Sequence, residues 1–181
     1  MIIKQIETYR LSVPLIKPFK TALRTVETAE TIIVKVICEN GITGFGEAPP
    51  THVITGDSLY SIETTIQNIF KPFLIGKDVR LFEKVFQGLH SLVIGNTSAK
   101  AAIDMALYDC LAKSNNLPLY QYLGGYRDSL ETDFTVSVNS PEEMGEDALS
   151  YVAQGFQVLK IKVGKDCLAD DIARITRIRE T

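Results

Sequence analysis

The chain lacks long apolar runs, strong charge of either sign, and cysteine or histidine in any metal-like grouping. Its longest apolar stretches, such as Thr31 to Cys38, fall well short of the roughly 20 residues a membrane helix needs, and the N-terminus shows no signal-peptide pattern of basic, apolar and small-residue regions. The expected location is the cytoplasm, with no membrane partner. Nineteen Lys and Arg against 22 Asp and Glu leave a formal net charge of -3 spread along the chain, so no basic face stands ready for nucleic acid. Cys38, Cys110 and Cys167 are too far apart for a CxxC motif, and their odd number argues against a disulfide framework. They read as reduced thiols. His52 and His90 are isolated from Cys and from paired carboxylates, which excludes a triad or zinc site and leaves surface or capping roles. Asn96-Thr97-Ser98 fits the glycosylation pattern but, without a secretory signal, reads as a helix cap.

What is present is apolar content of 45% beside 23% charge, enough to bury one core. Ile3, Ile6, Leu11 and Val13 predict a strand that Pro14 and Pro18 end, with a loop from Leu15 to about Glu30. Thr31 to Glu39 and Ile42 to Glu47 predict two further strands joined by a type I′ turn at Asn40-Gly41. Beyond Pro49-Pro50, apolar residues at helical spacing run through Leu59, Ile62, Ile66, Ile69 and Phe70, and again through Leu81, Val85 and Leu89. A third helix opens at Asn96 to Ser98, and its alanines suit close packing. After Gly124-Gly125 the pattern changes to strand Phe134 to Val138, a Ser140-Pro141-Glu142-Glu143 helix start, and strand Val158 to Val163, a βαβ unit. Ala169 to Arg179 is helical and has no terminating signal before Thr181, so the chain is expected to end inside a helix.

The organisation is therefore an α+β module over residues 1–125, followed over 126–181 by the opening of a parallel β/α domain. A closed barrel takes about 250 residues, so only its first strand-helix units fit here, and the barrel is expected to be incomplete.

Leu159-Lys160-Ile161-Lys162-Val163 carries the most chemical information. Strand alternation sends both lysines to one face and Leu159, Ile161 and Val163 to the other. Taken alone, such a strand is more often a solvated face. In a βαβ unit both faces of the sheet are normally covered, and helices take the apolar one, which turns the lysines inward. Two ammonium groups about 6.7 Å apart along a strand repel by roughly 2.5 kcal/mol at an effective dielectric near 20. That repulsion favours one of them acting as a general base near neutral pH. Arg24 lies in a loop where its guanidinium suits a carboxylate, although a solvated loop arginine is commoner. Asp104 and Asp109 stand four residues from Lys100 and Lys113 and read as surface ion pairs. Gly41 to Gly46 has its glycines in the wrong order for a dinucleotide loop, and Gly95 to Lys100 lacks the Gly before Lys of a phosphate loop.

Lys17-Pro18-Phe19, Thr43-Gly44-Phe45-Gly46-Glu47-Ala48-Pro49-Pro50, the Ser98 to Asp109 helix and Lys160-x-Lys162 occur in the order seen in the muconate-lactonising subgroup of the enolase superfamily, which this chain resembles throughout. Thr21-Ala22-Leu23-Arg24, Val53 to Ser58 and Asp133 to Val138 look most like the bacterial dipeptide epimerases that interconvert L-Ala-L-Glu and L-Ala-D-Glu. The resemblance implies an N-terminal capping domain and a TIM-type (β/α)₇β barrel with chemistry at the C-terminal ends of its strands. It implies that Lys162 moves the substrate α-proton, that Lys160 assists and contacts substrate, and that Arg24 and Thr135 bind substrate. It also implies a Mg²⁺ ion that stabilises the enolate, a homo-oligomer, and a small dipeptide or carboxylate substrate. The family's carboxylate metal ligands and opposite-face lysine lie on later strands, so a chain ending at Thr181 is expected to be inactive alone. Two alternatives stand: another activity of the superfamily (muconate cycloisomerase, o-succinylbenzoate synthase or N-acylamino acid racemase), or a noncatalytic assembly module that pairs its open strand edges.

Overall fold

A computed structural model describes residues 1–21 and 23–181. The chain forms two compact units, one of Met1–Val13 with Ala29–Tyr126 and one of Pro14–Thr28 with Arg127–Thr181. The second unit is thus discontinuous in sequence: residues 14–28 group with the C-terminal segment.

Strands β1 (Ile3–Lys20), β2 (Thr25–Cys38) and β3 (Thr43–Ala48) form a sheet in that order. The stretch expected to be a loop is therefore ladder on both sides of a tight turn, in which Thr21 N donates to Arg24 O at 2.9 Å. Ala22, within that expected loop, lies outside the described residues. Prolines 14 and 18 do not end β1 because β1 is an edge strand. Four residues apart, they share strand parity, so both stand where an N–H would point away from β2. Only the base of the hairpin is core: Ile3, Ile6, Ile32, Val34 and Val36 are buried, whereas Leu11, Val13 and Ile16 are exposed.

The β2–β3 register, Ile32↔Ala48 through Ile37↔Thr43, leaves three residues between Cys38 and Ile42. Gly41 has φ +83° while Asn40 keeps a negative φ, Gly41 N donates to Cys38 O at 3.0 Å, and Cys38 N donates to Ile42 O at 2.9 Å. This is a three-residue loop with a left-handed glycine, and it replaces the expected type I′ turn, which needs two residues at positive φ.

Helix α1 (Leu59–Thr65) passes through a π turn (Ile66–Phe70) into α2 (Lys71–Leu74), and a 3₁₀ turn (Val79–Leu81) leads into α3 (Phe82–Leu92). Ser58 and Ser61 form a capping box at the start of α1. Ile62, Ile66, Phe70 and Leu74 are fully buried at four-residue steps. The wider π turn keeps that four-residue stripe on the core and rotates Ile69, three residues on from Ile66, outward. Leu81, also expected inside, closes the 3₁₀ turn and is exposed.

Helix α4 (Thr97–Ser114) starts where expected, but Asn96 is left-handed (φ 50°) and its side chain makes no cap bond. Instead buried Asp57 accepts from Ser98 N at 3.3 Å and Ser98 Oγ at 2.8 Å, placing a carboxylate at the positive end of the helix. Asn96 Oδ1 faces Thr65 and accepts from its Oγ1 at 3.0 Å. Alanines 99, 102 and 106 and Cys110, all buried, make the helix face that lies on β3. A Cβ on Gly44 would stand 2.0 Å from Ala106 O, and one on Gly46 1.9 Å from Ala102 O. These glycines exist because helix backbone occupies the space, which accounts for the Gly-rich stretch that only superficially matches a dinucleotide loop. Cys38 and Cys110 are free and buried, and burial pushes the Cys110 thiol up to about 12. Helix α5 (Leu119–Tyr122) is a short turn that follows Pro118.

In the second unit, β4 (Asp133–Val136) and β5 (Val158–Ile161) pair in parallel around α6 (Pro141–Ala153), and α7 (Leu168–Glu180) follows. At the helix start that the sequence suggests, Ser140 and Glu143 make a capping box, with Pro141 in the first turn. No helix among the described residues is long and apolar enough to cross a membrane.

Two predictions follow from packing and charge. Gly46→Ala is expected to cost about 3 kcal/mol in urea unfolding, because strand and helix must separate, whereas Gly41→Ala costs about 1 kcal/mol for its left-handed φ alone; equal losses would contradict the close approach. Asp78 binds Arg80 at 2.6 Å and the Met1 amino group at 2.9 Å, which hold its carboxyl well below the usual range. That stabilisation is present above the ordinary carboxylate pKa, about 4, and is lost as pH falls toward the folded-state value. Asp78→Asn should therefore flatten the fall in unfolding free energy below about pH 4, as followed by circular dichroism.

Candidate active site

The register of the parallel pair sets Thr135 beside Lys160 and Val136 beside Ile161. Burial decides which face is which. Phe134 lies with its ring centroid 4.1 Å from Tyr151 on α6 and 4.8 Å from Phe156, and Val136, Met144 and Ala148 are buried, so α6 covers the Phe134–Val136 face. Alternation then places Asp133, Thr135, Val158 and Lys160 on the opposite face, where Thr135 is half-buried and Lys160 exposed.

The expected strand to Val163 ends early, at Ile161. Its partner β4 stops at Val136, so the ladder offers nothing beyond Ile161, and Gly164 turns away at φ +86°. Lys162 is the first residue past the strand. It is half-buried, and its ammonium lies 4.6 Å over the centroid of the Phe19 ring, a cation–π contact.

Phe19 belongs to the hairpin tip, which several polar contacts fasten within the same unit. Lys17 pairs with Asp147 on α6. Lys20 Nζ donates to Asn139 Oδ1 at 2.7 Å, and Lys20 N to Ser137 Oγ at 3.4 Å. At the turn itself Arg24 N donates to Thr21 Oγ1 at 3.1 Å. This fixes the Arg24 backbone, while its half-buried side chain forms no ion pair among the described residues. The structure thus brings Thr135 and Lys160 side by side and places Lys162 on Phe19. Arg24 lies in the same unit.

Phe19, Lys20, Ser137 and Asn139 were not singled out by sequence reasoning. Lys17-Pro18-Phe19 was visible as a motif, but only folding shows that its ring lies against Lys162. Of the expected surface ion pairs, Asp109–Lys113 forms at 2.6 Å, and Asp109 also accepts from Phe45 N at 2.9 Å. Lys100 instead donates to the His90 and Val93 carbonyls at 3.2 and 2.7 Å, because those unpaired carbonyls at the end of α3 are the nearer acceptors. Burial raises the pKa of Asp104 above the ordinary carboxylate value, against the opposing influence of His90.

Among the described residues no three His, Cys, Asp or Glu side chains cluster as metal ligands. The Thr135–Lys160 face carries one carboxylate, Asp133, beside a lysine. A hard divalent cation prefers about six oxygen ligands, with carboxylates among them. These residues do not fit a Mg²⁺ ion.

The sequence profile of the mandelate racemase / muconate lactonizing enzyme N-terminal domain matches residues 5–124. The chain belongs to that family, within the enolase superfamily. An L-Ala-D/L-Glu epimerase of Bacillus subtilis is 61% identical over 180 residues, 99% of this chain and 49% of that protein. Its substrate-liganded structure superposes with a TM-score of 0.97, covering 99% of this chain and 50% of the other. An L-Ala-D/L-Glu epimerase of Clostridium acetobutylicum is 49% identical over 99% of this chain and 50% of its own length. A dipeptide epimerase structure from Enterococcus faecalis, complexed with Mg and L-Leu-L-Tyr, is 39% identical at a TM-score of 0.95, covering 99% of this chain and 50% of that one. The chain spans about half the length of the relatives it matches.

The Phe19–Lys162 stack predicts that Phe19→Leu raises the rate at which an amine-directed acylating reagent modifies Lys162, severalfold, with unfolding free energy changed by less than about 1 kcal/mol. Peptide mass spectrometry after timed labelling measures it, and an unchanged rate would show that the ring does not shield the ammonium.

Proposed function

We propose that the protein containing this chain is a dipeptide epimerase of the L-Ala-D/L-Glu type, in which Lys162 moves the α-proton of the substrate. The observation that carries the reading is the pairing of Thr135 with Lys160, on the face away from α6, two residues before the phenyl-stacked Lys162. Identity of 61% and 49% with two L-Ala-D/L-Glu epimerases supports the substrate class.

In this reading the neutral Lys162 amine takes the proton from the α-carbon, and the C–H electron pair passes into the adjacent carbonyl as an enolate. Return of a proton to the same face restores the starting isomer, so inversion needs a donor on the opposite face, from outside residues 1–181. Lys160 places positive charge beside the developing enolate. Thr135 offers a hydroxyl to the substrate next to it, and Arg24 offers a guanidinium fork to a substrate carboxylate. The Mg²⁺ that family structures hold together with dipeptides would be bound by groups outside this span, because the residues here do not fit it.

Proton NMR of L-Ala-L-Glu in D₂O with Mg²⁺ and the whole protein should show loss of the glutamyl α-proton signal. Lys162→Ala is expected to lower that rate about 10³-fold, while Arg24→Met chiefly raises KM, by about tenfold. Exchange that persists in Lys162→Ala would assign the base elsewhere. Absence of exchange in the unaltered whole protein would end the epimerase reading.

A further inference from the structure

Lys162 stands one residue beyond the last paired residue of β5, where the sheet no longer dictates the course of the chain. Something else must set its direction. Gly164, two residues on, donates its N–H to Asp171 Oδ2 at 2.7 Å. The other oxygen of Asp171 accepts from Arg174 Nη1 at 2.9 Å. Arg174 Nη2 pairs with Asp166, farther along the same loop, and Arg174 Nε donates to Asn139 O at 2.9 Å. All three nitrogens of one guanidinium are therefore committed, two to carboxylates that bracket the loop after Lys162 and one to the turn after β4.

Asp171 and Arg174 are buried, at 9% and 8% exposure. A buried ion pair returns little net stability, since taking two charges from water offsets their attraction, whereas a guanidinium fork imposes direction on each group it binds. Asn139 extends the connection, because its side-chain oxygen accepts from Lys20 Nζ at 2.7 Å, and Lys20 follows Phe19, whose ring lies under the Lys162 ammonium. The backbone that carries Lys162 and the ring that receives its ammonium both lead back to Arg174.

We infer that Arg174 is a positioning residue for Lys162, acting through Asp171 and Gly164 on one side and through Asn139 on the other. This deepens the proposed function and rests on the reading of Lys162 as the base. A lysine at 174 would keep the charge but lacks the planar fork that serves three acceptors at once.

Arg174→Lys is the deciding variant. In this chain, hydrogen–deuterium exchange of the Gly164 N–H is expected to quicken at least tenfold, and acylation of Lys162 to change severalfold, with the amides of α4 unaffected. In the whole protein, kcat for dipeptide α-proton exchange should fall at least tenfold while KM stays within about threefold. Should Arg174→Lys fail to fold, Asp171→Asn, equal in shape but uncharged, interrupts the same link and should give the same pattern. Unchanged Gly164 exchange and Lys162 labelling would overturn the inference, as would lost protection at Gly164 with kcat intact. If the unaltered whole protein exchanges no α-proton, the epimerase reading falls, and amide exchange with Lys162 labelling still decides whether Arg174 holds the loop.

Discussion

The contact on which the first unit depends is the approach of α4 to β3 with no side chain between them. Gly44 and Gly46 lie against the carbonyls of Ala106 and Ala102 so closely that even a methyl group has no room. That distance sets where the helix lies on the sheet, and with it the positions of Ile103 and Leu107 in the core and of Phe82, Phe86 and Tyr108 around it. It also explains why α4 is held at its start by Asp57, from a loop 41 residues away, and not by its own cap residue. A helix in such close contact must be fixed in register along its axis, and a buried carboxylate at its first turn does that with direction as well as charge.

The second unit uses a different principle. Its two strands and two helices carry large apolar side chains that remain exposed, among them Leu149, Val152, Ile172 and Ile175. Beside the buried Val136, Met144 and Ala148, polar connections of defined geometry order it: Lys17 with Asp147, Lys20 with Asn139, and Arg174 with Asp166, Asp171 and the Asn139 carbonyl. Hydrogen bonds to charged groups specify angles that apolar contacts leave open. Under the proposed function, Lys162 would present its amine to one face of a substrate and would need that kind of constraint, because an error of about 1 Å in placement can cost about a hundredfold in rate.

Where sequence reading failed, it failed for identifiable reasons. Pro14 and Pro18 suggested a loop because proline cannot donate to a ladder, but an edge strand has positions where no donor is needed, and edge status is a property of the sheet. Asn40-Gly41 suggested a two-residue turn, yet the β2–β3 register left three residues to close it. Lys100 was paired with Asp104 by spacing, but it caps the carbonyls at the end of α3, which the sequence cannot bring near.

The sequence by itself determined the order of elements, the βαβ grammar with its helix start at Ser140, and the alternation that separates Lys160 from Leu159 and Ile161. These are local, set by side-chain period and by caps within a turn of the residue concerned. Tertiary structure alone decided that Phe19 lies under Lys162, that Thr135 stands beside Lys160, and that Arg174 governs the loop between them and α7. Those relations join residues 8 to 143 positions apart, and they depend on strand register and packing distance, for which a linear pattern has no coordinate.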